Sequence, residues 1–243
     1  MVVSTVGLML KVETRIYIRN LTADILHIMI FKTISEELSN KGFSFFSYDG
    51  LSRKEVELIF CKSVSRIEQD ILIPRKENKE NPGAWSNLYS DREFPPHTDF
   101  AYQTLPPKYI VLHCINNDNS NRPTYLLDSD SIPVEAKNKL SKVLWKINHP
   151  EKNGTMKIFK KFPSINQTIV RYDPTCMTPY FRKDKWAINL LENVFSTYAE
   201  KIIWDKAKIL ILDNWRCLHS RGVNSLHQGK KEGRVLTRYS IYI

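Results

Sequence analysis

Three polar residues have the types and positions expected of a metal site. His97 and Asp99 lie two residues apart, directly after Pro95-Pro96. In an extended segment, residues i and i+2 project to the same side, so this imidazole and this carboxylate can bind one cation. The pair alone is a weak signal, because roughly one chain in two of this composition contains such a pair by chance. A third ligand is needed, and His219, shortly after the strand-like ILILD, is the best candidate.

Two histidines and one carboxylate on one face of an octahedral ion leave three coordination positions open. Non-haem Fe(II) oxygenases use this arrangement, and the open positions favour a catalytic over a structural site. Cys217 lies two residues before His219, but we predict a turn directly after ILILD, so thiolate coordination is not expected. His27 falls in a predicted helix and His113 in an apolar strand, where packed or surface histidines are the usual case.

Hydrophobic spacing predicts the elements that must position these residues. Apolar residues spaced by four predict helices over residues 22–38, 52–70 and 183–200, the second beginning at a Ser52–Glu55 capping box. Short β-branched or aromatic runs predict strands, at residues 43–48, 109–114, 124–127, 168–172, 209–212 and 235–243. Helices followed by many short strands favour a mostly antiparallel jelly roll with flanking α-helices over a doubly wound parallel sheet.

The composition indicates a folded globular protein. Of the 243 residues, 42% are hydrophobic, and 36 Lys and Arg against 26 Asp and Glu leave a net charge of +10. The basic residues form no helical stripe or aromatic-interleaved array, so we expect no nucleic-acid partner. No stretch approaches the roughly 20 apolar residues that span a bilayer, so no membrane partner is expected. The start lacks a basic leader and the four cysteines form no CxxC pair, so we expect a reduced, cytoplasmic protein.

One resemblance to a known family rests on three ordered motifs. HTDFAYQTLPPKYIVLHCINND, followed by LDNWRCLHSRG and GRVLTRYSI, is similar to the taurine dioxygenase and clavaminate synthase-like branch of the Fe(II)/2-oxoglutarate-dependent oxygenases. The resemblance covers residues 85–243 and implies a double-stranded β-helix, a jelly-roll variant. We therefore predict a single domain over residues 1–243. Residues 1–84 would form a flank of helix and strand, and residues 85–243 the core that bears the motifs.

The resemblance implies an iron site and a cosubstrate site. His97, Asp99 and His219 match the iron ligands of the family. Thr124 matches the threonine whose hydroxyl helps to hold the distal carboxylate of 2-oxoglutarate, and Arg234 matches the arginine that pairs with this carboxylate. A planar guanidinium binds a carboxylate bidentately and stays charged when it is buried. The cofactors and cosubstrates implied are Fe(II), 2-oxoglutarate and O2.

The resemblance, together with the positions of other residues in the sequence, predicts which side chains contact the prime substrate. Arg238 leaves its strand on the same face as Arg234, and in the family this second arginine often points toward the substrate. Arg171, in TIVRY, either faces the same pocket or forms a salt bridge at a strand edge. Because buried guanidinium groups that share a pocket require anions, we predict a small-molecule substrate with an anionic group. Three more residues flank the metal motif and are expected to shape the pocket: Asn87, Phe100 and Tyr102.

The activity implied by the resemblance is hydroxylation of an unactivated carbon, coupled to the conversion of 2-oxoglutarate to succinate. HTDFAY and RYDPTCMTP favour an amino acid or an amino-acid-derived metabolite as the substrate. Desaturation or cyclisation would use the same residues and stays an alternative. Halogenation is set aside, because Asp99 occupies the position that a halide would need. A non-catalytic, basic jelly-roll binding protein is the alternative from another class.

Overall fold

More of the described chain lies in strands than in helices, and the strands form antiparallel sheets. The computed structural model describes residues 23–48, 51–60, 64–73, 89, 92–117, 122–206, 208–223 and 234–243. Their helices are α1 (Ala23–Lys41), α2 (Arg53–Ile59), α3 (Val134–Lys142) and α4 (Trp186–Tyr198). Their strands are β1 (Phe43–Ser47), β2 (Arg66–Leu72), β3 (Phe94–His97), β4 (Tyr109–Asn116), β5 (Thr124–Asp128), β6 (Trp145–His149), β7 (Lys152–Met156), β8 (Phe159–Phe162), β9 (Gln167–Val170), β10 (Met177–Pro179), β11 (Glu200–Ile202), β12 (Lys208–Asp213), β13 (Cys217–Arg221) and β14 (Val235–Tyr242).

Two sheets pack face to face as the two halves of a jelly roll. The larger sheet has the strand order β1-β12-β4-β14-β2, and the smaller sheet has the order β11-β5-β13-β3. Neighbouring strands are antiparallel throughout both sheets. Leu112 and Leu212 of the larger sheet share a buried cluster with Leu126 and Cys217 of the smaller one. The predicted antiparallel jelly roll with flanking helices is therefore confirmed.

Further elements cover the outer faces of both sheets. Ile34 of α1 and Val56 of α2 pack against Tyr239 on the outside of the larger sheet. The segment between β5 and β11, which contains α3, β6 to β10 and α4, covers the smaller sheet through a buried cluster that includes Leu218. None of the helices in the described ranges has the length and apolarity needed to cross a membrane.

The helix predicted over residues 52–70 is wrong in its second half. The Ser52–Glu55 capping box is present, but the helix ends at Ile59 and Arg66–Leu72 forms strand β2. This strand pairs with β14 along its whole length, from Arg66 opposite Tyr242 to Leu72 opposite Leu236. Pairing with a strand about 170 residues away overrides the local helical spacing. Strands β1 and β2 thus both lie in the larger sheet.

Candidate active site

Strands β3 and β13 bring the three predicted ligands together. His97 ends β3 and is the register partner of His219 in β13, with their ring centroids 4.1 Å apart. Asp99 follows β3, and its Oδ1 lies 3.9 Å from Nε2 of His97. One ligand atom from each of the three side chains lies within 4.8 Å of the others, and all three residues are buried. The sequence therefore identified a group that the fold assembles.

The donor atoms of this group fit a divalent metal ion such as Fe(II). Nδ1 of His97 lies 2.9 Å from the Pro95 carbonyl, which leaves Nε2 facing the group. Nδ1 of His219 is buried and has no hydrogen-bond partner among the described residues. Two imidazoles and one carboxylate are the donor set of a 2-His-1-carboxylate iron site.

Electrostatics keep the three side chains in the protonation states that bind a metal. Burial, together with the neighbouring His219, lowers the pKa of His97 to about 3. Burial also lowers the pKa of His219 below its ordinary value. For Asp99, burial acts to raise the pKa, but the adjacent Arg238 guanidinium holds it below the usual value. At neutral pH the group is therefore two neutral imidazoles and one carboxylate, the forms that coordinate metals.

Asn214, which sequence reasoning missed, fixes the backbone of Asp99. Its Oδ1 accepts a hydrogen bond from the Asp99 amide at 2.9 Å. Its Nδ2 donates to the carbonyls of Asp99 at 2.9 Å and Pro107 at 3.0 Å. Asn214 is fully buried in the turn between β12 and β13, so it ties the Asp99 segment to the turn before His219. Its place within the quoted LDNWRCLHSRG motif was the only signal available from the sequence.

Phe100 and Arg238 lie directly beside the metal group. Phe100 has a φ of +56°, in the left-handed region that bulky side chains rarely adopt. Its ring centroid lies 5.1 Å from Cζ of Arg238, a cation–π contact. Nη1 of Arg238 lies 3.3 Å from Oδ1 of Asp99, and Nη2 donates to Oδ2 of Asp70 at 2.9 Å. Arg238 therefore projects inward from β14, on the same face as Arg234, as predicted from the strand periodicity.

Thr124 and Arg234 meet at one tryptophan. Nε1 of Trp204 donates to Oγ1 of Thr124 at 2.9 Å, and the Trp204 ring lies 5.0 Å from Cζ of Arg234. Nη1 of Arg234 donates to the Arg122 carbonyl at 2.7 Å. Thr124, Arg234 and Trp204 are all buried. The structure brings together the two residues predicted to bind the cosubstrate, and adds Trp204, which the sequence analysis missed because it is an isolated residue in a connection after β11.

Of the other predicted pocket residues, Tyr102 contacts a neighbouring hairpin and Asn87 lies outside the described ranges. Tyr102 stacks on His149 of β6 with ring centroids 3.6 Å apart, and its hydroxyl donates to Oε1 of Glu151 at 3.2 Å. Tyr102 thus anchors the segment after Asp99 to the β6–β7 hairpin. Asn87 lies outside the described residues. Cys217 is on the same strand as His219, but its thiol donates to the Gly42 carbonyl at 3.3 Å.

Arg171 does not join the other two arginines. Nη1 of Arg171 donates to the carbonyl of Gln103 at 2.6 Å and to that of Thr104 at 3.0 Å. Its side chain lines a different cavity, together with lysines of the β6–β9 segment. Contrary to that expectation, the three guanidinium groups do not share one pocket. Arg238 has two carboxylate partners, and Arg171 is bound to backbone carbonyls elsewhere.

The protein is a jelly roll that brings His97, Asp99 and His219 together in its interior. This combination of fold and site defines its class. The model of the family described as "Taurine catabolism dioxygenase TauD, TfdA family" matches residues 30–239. The chain therefore belongs to this family. The match begins within α1 and includes β1 and β2, so it extends beyond residues 85–243, where the motifs are found.

Individual relatives agree with this assignment. Clavaminate synthase 2 of Streptomyces clavuligerus is 22% identical over 138 residues, which is 51% of this chain and 42% of that protein. The match thus spans less than half the length of this curated relative.

Among solved structures, asparagine oxygenase in complex with Fe(II), 2S,3S-3-hydroxyasparagine and succinate has a TM-score of 0.63 at 11% identity, over 88% of this chain and 79% of that one. The non-haem iron oxygenase OrfP in complex with Fe, succinate and (3S)-hydroxy-L-Arg has a TM-score of 0.60 at 15% identity, over 90% and 79%. PvcB of Pseudomonas aeruginosa has a TM-score of 0.61 at 12% identity, over 87% and 79%. At these identities, the similarity shows a shared fold.

Proposed function

We propose that the chain is an Fe(II)- and 2-oxoglutarate-dependent dioxygenase that hydroxylates an unactivated carbon of an amino acid or an amino-acid-derived molecule. One observation carries this proposal: the buried group of His97, Asp99 and His219 lies beside Arg238 in the jelly-roll interior. The overall reaction combines 2-oxoglutarate, O2 and a C–H bond of the substrate to give succinate, CO2 and a C–OH group. Two structural relatives contain succinate and a hydroxylated amino acid, which supports this substrate class.

The three ligand side chains would hold the iron and leave half of its coordination positions open to reactants. When bound, Fe(II) supplies the activation of O2 that organic side chains cannot provide. The task of the chain is to hold the ligands and exclude water. Asn214 fixes the Asp99 backbone, and the Phe94 ring packs 4.4 Å from the His97 ring. Ligands held in this way need little reorganisation when the metal binds.

Arg234 and Thr124 would hold the distal carboxylate of 2-oxoglutarate. A buried guanidinium forms a strong, charge-assisted pair with a carboxylate. The Thr124 hydroxyl already accepts the Trp204 indole N–H, so its own proton is free to be donated to the carboxylate. Trp204 therefore acts as a positioning residue, because it orients Thr124 and packs against Arg234.

Trp204→Phe is expected to weaken 2-oxoglutarate binding about two- to tenfold, because it removes one neutral hydrogen bond and keeps an aromatic ring. Calorimetric titration of the iron-loaded protein with 2-oxoglutarate measures the change. Trp186→Phe, at an exposed position of α4, is the matched control and should leave the affinity unchanged. An unchanged affinity in Trp204→Phe would remove Trp204 from the cosubstrate pocket.

Arg238 and Asp70 match the two charges of an amino acid. Nη1 of Arg238 lies beside the metal ligand Asp99, so a carboxylate bound there is held next to the iron. Nε of Arg238 is buried and has no hydrogen-bond partner among the described residues, which leaves it able to donate to a carboxylate. Asp70 lies next to this guanidinium and half of its side chain is exposed, so it can accept from a substrate ammonium group. We therefore assign the substrate carboxylate to Arg238.

Arg238→Ala is expected to reduce substrate-stimulated succinate formation by about tenfold or more, because it removes a charge-assisted pair with the substrate carboxylate. Binding of 2-oxoglutarate and slow turnover without substrate should stay close to wild type, since Arg234 is unchanged. Arg66→Ala is the control, because Arg66 lies in β2 opposite Tyr242 of β14 and its side chain is exposed. Equal losses of substrate-stimulated and basal turnover in Arg238→Ala would contradict this assignment.

A panel of L-amino acids and small amines tests the proposed function. Succinate formation above the substrate-free background should appear for at least one compound with a carboxylate. The mass of its product then identifies the reaction. Gain of an oxygen atom indicates hydroxylation, whereas loss of two hydrogens indicates desaturation or cyclisation. Stimulation only by compounds that lack an anionic group would contradict the proposed substrate class.

A further inference from the structure

A cavity lined in part by Thr104 lies next to the segment that follows Asp99. It has a volume of about 370 Å³ and is lined by residues of the β6–β7 hairpin, of β8 and of the Asp99 segment. Ile147 and Met156 form an apolar, buried wall. None of the three metal ligands lines this cavity, so it is distinct from the metal site.

The polar lining of this cavity is strongly basic. Arg171, Lys152, Lys157 and Lys160 line it, and no Asp or Glu is among its described lining residues. Within the part of the chain that the structure describes, none of these four side chains forms a salt bridge with a carboxylate. Burial, together with Arg171 and Lys160, lowers the pKa of Lys152, as expected where positive charges accumulate. The electrostatic potential of the cavity is therefore positive, because no carboxylate among the described lining residues offsets these charges.

Arg171 is the most buried of the four charged residues that line the cavity, with 3% of its surface exposed. Its Nη1 donates to two backbone carbonyls, but its Nε is buried without a hydrogen-bond partner among the described residues. A buried guanidinium whose charge no carboxylate offsets is costly unless an anion compensates it. The three lysines lie around it in more exposed positions, where they attract an anion toward Arg171.

We propose that this cavity is a second binding site, for a small, multiply charged anion of the phosphate, sulfate or polycarboxylate class. Four positive side chains match more than one negative charge, and Arg171 binds such groups bidentately. The wall of Ile147 and Met156 accommodates an apolar portion of the ligand. The lysines supply attraction that depends on salt concentration, and Arg171 supplies the specific contact.

The site is connected to the metal group through the backbone. Arg171 holds the Gln103 and Thr104 carbonyls, and Lys152 donates to Oγ1 of Thr104 at 2.6 Å. The carbonyl of the next residue, Tyr172, accepts a hydrogen bond from the Thr98 amide at 2.8 Å. Thr98 lies between the two ligands His97 and Asp99 in the sequence. An anion bound to Arg171 thus contacts a side chain that holds the segment after Asp99, and the next residue along the chain holds Thr98 before it.

Calorimetric titration of the full chain with sodium sulfate, malonate and acetate at constant ionic strength tests the proposal. Sulfate and malonate represent the two sources of a dianion, and acetate is the monoanion comparison. We expect one saturable site for at least one dianion, and binding of acetate about tenfold weaker or more. The dianion that binds better identifies whether the natural ligand belongs to the phosphate and sulfate class or to the polycarboxylates. Absence of saturable dianion binding would overturn the proposal.

Variants assign the bound dianion to this cavity. Arg171→Met should weaken dianion binding about tenfold or more, because it removes the buried charge. Lys157→Met and Lys160→Met keep Arg171 and should each weaken binding by about threefold, so they test the site even if Arg171→Met does not fold. Lys161→Met, the exposed neighbour of Lys160 that does not line the cavity, is the matched control.

Arg234→Met separates this site from the cosubstrate pocket. Dianion binding that survives Arg234→Met and weakens in Arg171→Met, or in the two lysine variants, supports a second site. Dianion binding that is lost in Arg234→Met and unchanged in the cavity variants places the anion in the cosubstrate pocket and overturns the proposal.

Discussion

Replacing His219 by alanine is expected to reduce Fe(II) affinity at least about a hundredfold. Removal of a group that only supports a ligand already costs roughly 10- to 100-fold in metal affinity, and His219 is proposed as a ligand itself. The variant leaves one histidine and one carboxylate, which are too few to hold the ion on one face. Anaerobic titration of the wild-type and variant proteins with Fe(II) measures this loss.

His113→Gln is the matched control for the metal titration. His113 lies in β4, opposite Thr237 and Ile209 in the larger sheet, and is not part of the described metal group. This variant should bind Fe(II) like the wild type. Wild-type affinity in His219→Ala would exclude His219 from the site and would contradict the facial arrangement.

Arg234→Ala is expected to raise the 2-oxoglutarate requirement about tenfold to several hundredfold, because a charge-assisted bidentate pair contributes roughly 1.5 to 3 kcal/mol. Thr124→Val should have a smaller effect, because valine is similar in size to threonine and lacks only the neutral hydroxyl donor. The concentration of 2-oxoglutarate that gives half-maximal succinate formation measures both effects.

The order of the two effects distinguishes the roles of the arginines. A larger effect of Arg234→Ala than of Thr124→Val supports Arg234 as the partner of the cosubstrate carboxylate. If Arg234→Ala has no effect, or if both changes have the same effect, Arg238 becomes the better candidate for that carboxylate. Arg238 lies on the same face of β14 and already contacts Asp99.

The pairing of His97 with Asp99 could be predicted because its signal is local, whereas His219 came from its place in a second motif. His97 and Asp99 lie at i and i+2 where β3 ends, and strand periodicity alone places two such side chains on one side. Periodicity also predicted that Arg234, directly before β14, and Arg238 within it project to the same side. The strands of the jelly-roll sheets were predicted where they are apolar and β-branched, as in β4 and β12, which are buried by layers on both sides.

Long-range packing decides what the sequence could not show. The strand β2 is only half apolar and exists because β14 pairs with it, so its residues were predicted as helix. Trp204 reaches Thr124 across 80 positions, and Asn214 reaches Asp99 across 115. Arg171 occupies a strand-like run as expected, but the carbonyls that accept its hydrogen bonds are set by the path of the Asp99 segment. Residue spacing in the sequence does not predict contacts between residues so far apart.

The most direct test of the proposed activity is to incubate the wild-type protein with 2-oxoglutarate in the presence and absence of Fe(II) and O2. Mass spectrometry measures the succinate and CO2 that form. We expect succinate and CO2 in equal amounts, only when both Fe(II) and O2 are present, and no such turnover by His219→Ala. If the wild-type protein forms no succinate above the metal-free sample, or if His219→Ala forms as much as the wild type, the proposed dioxygenase activity at this site is contradicted.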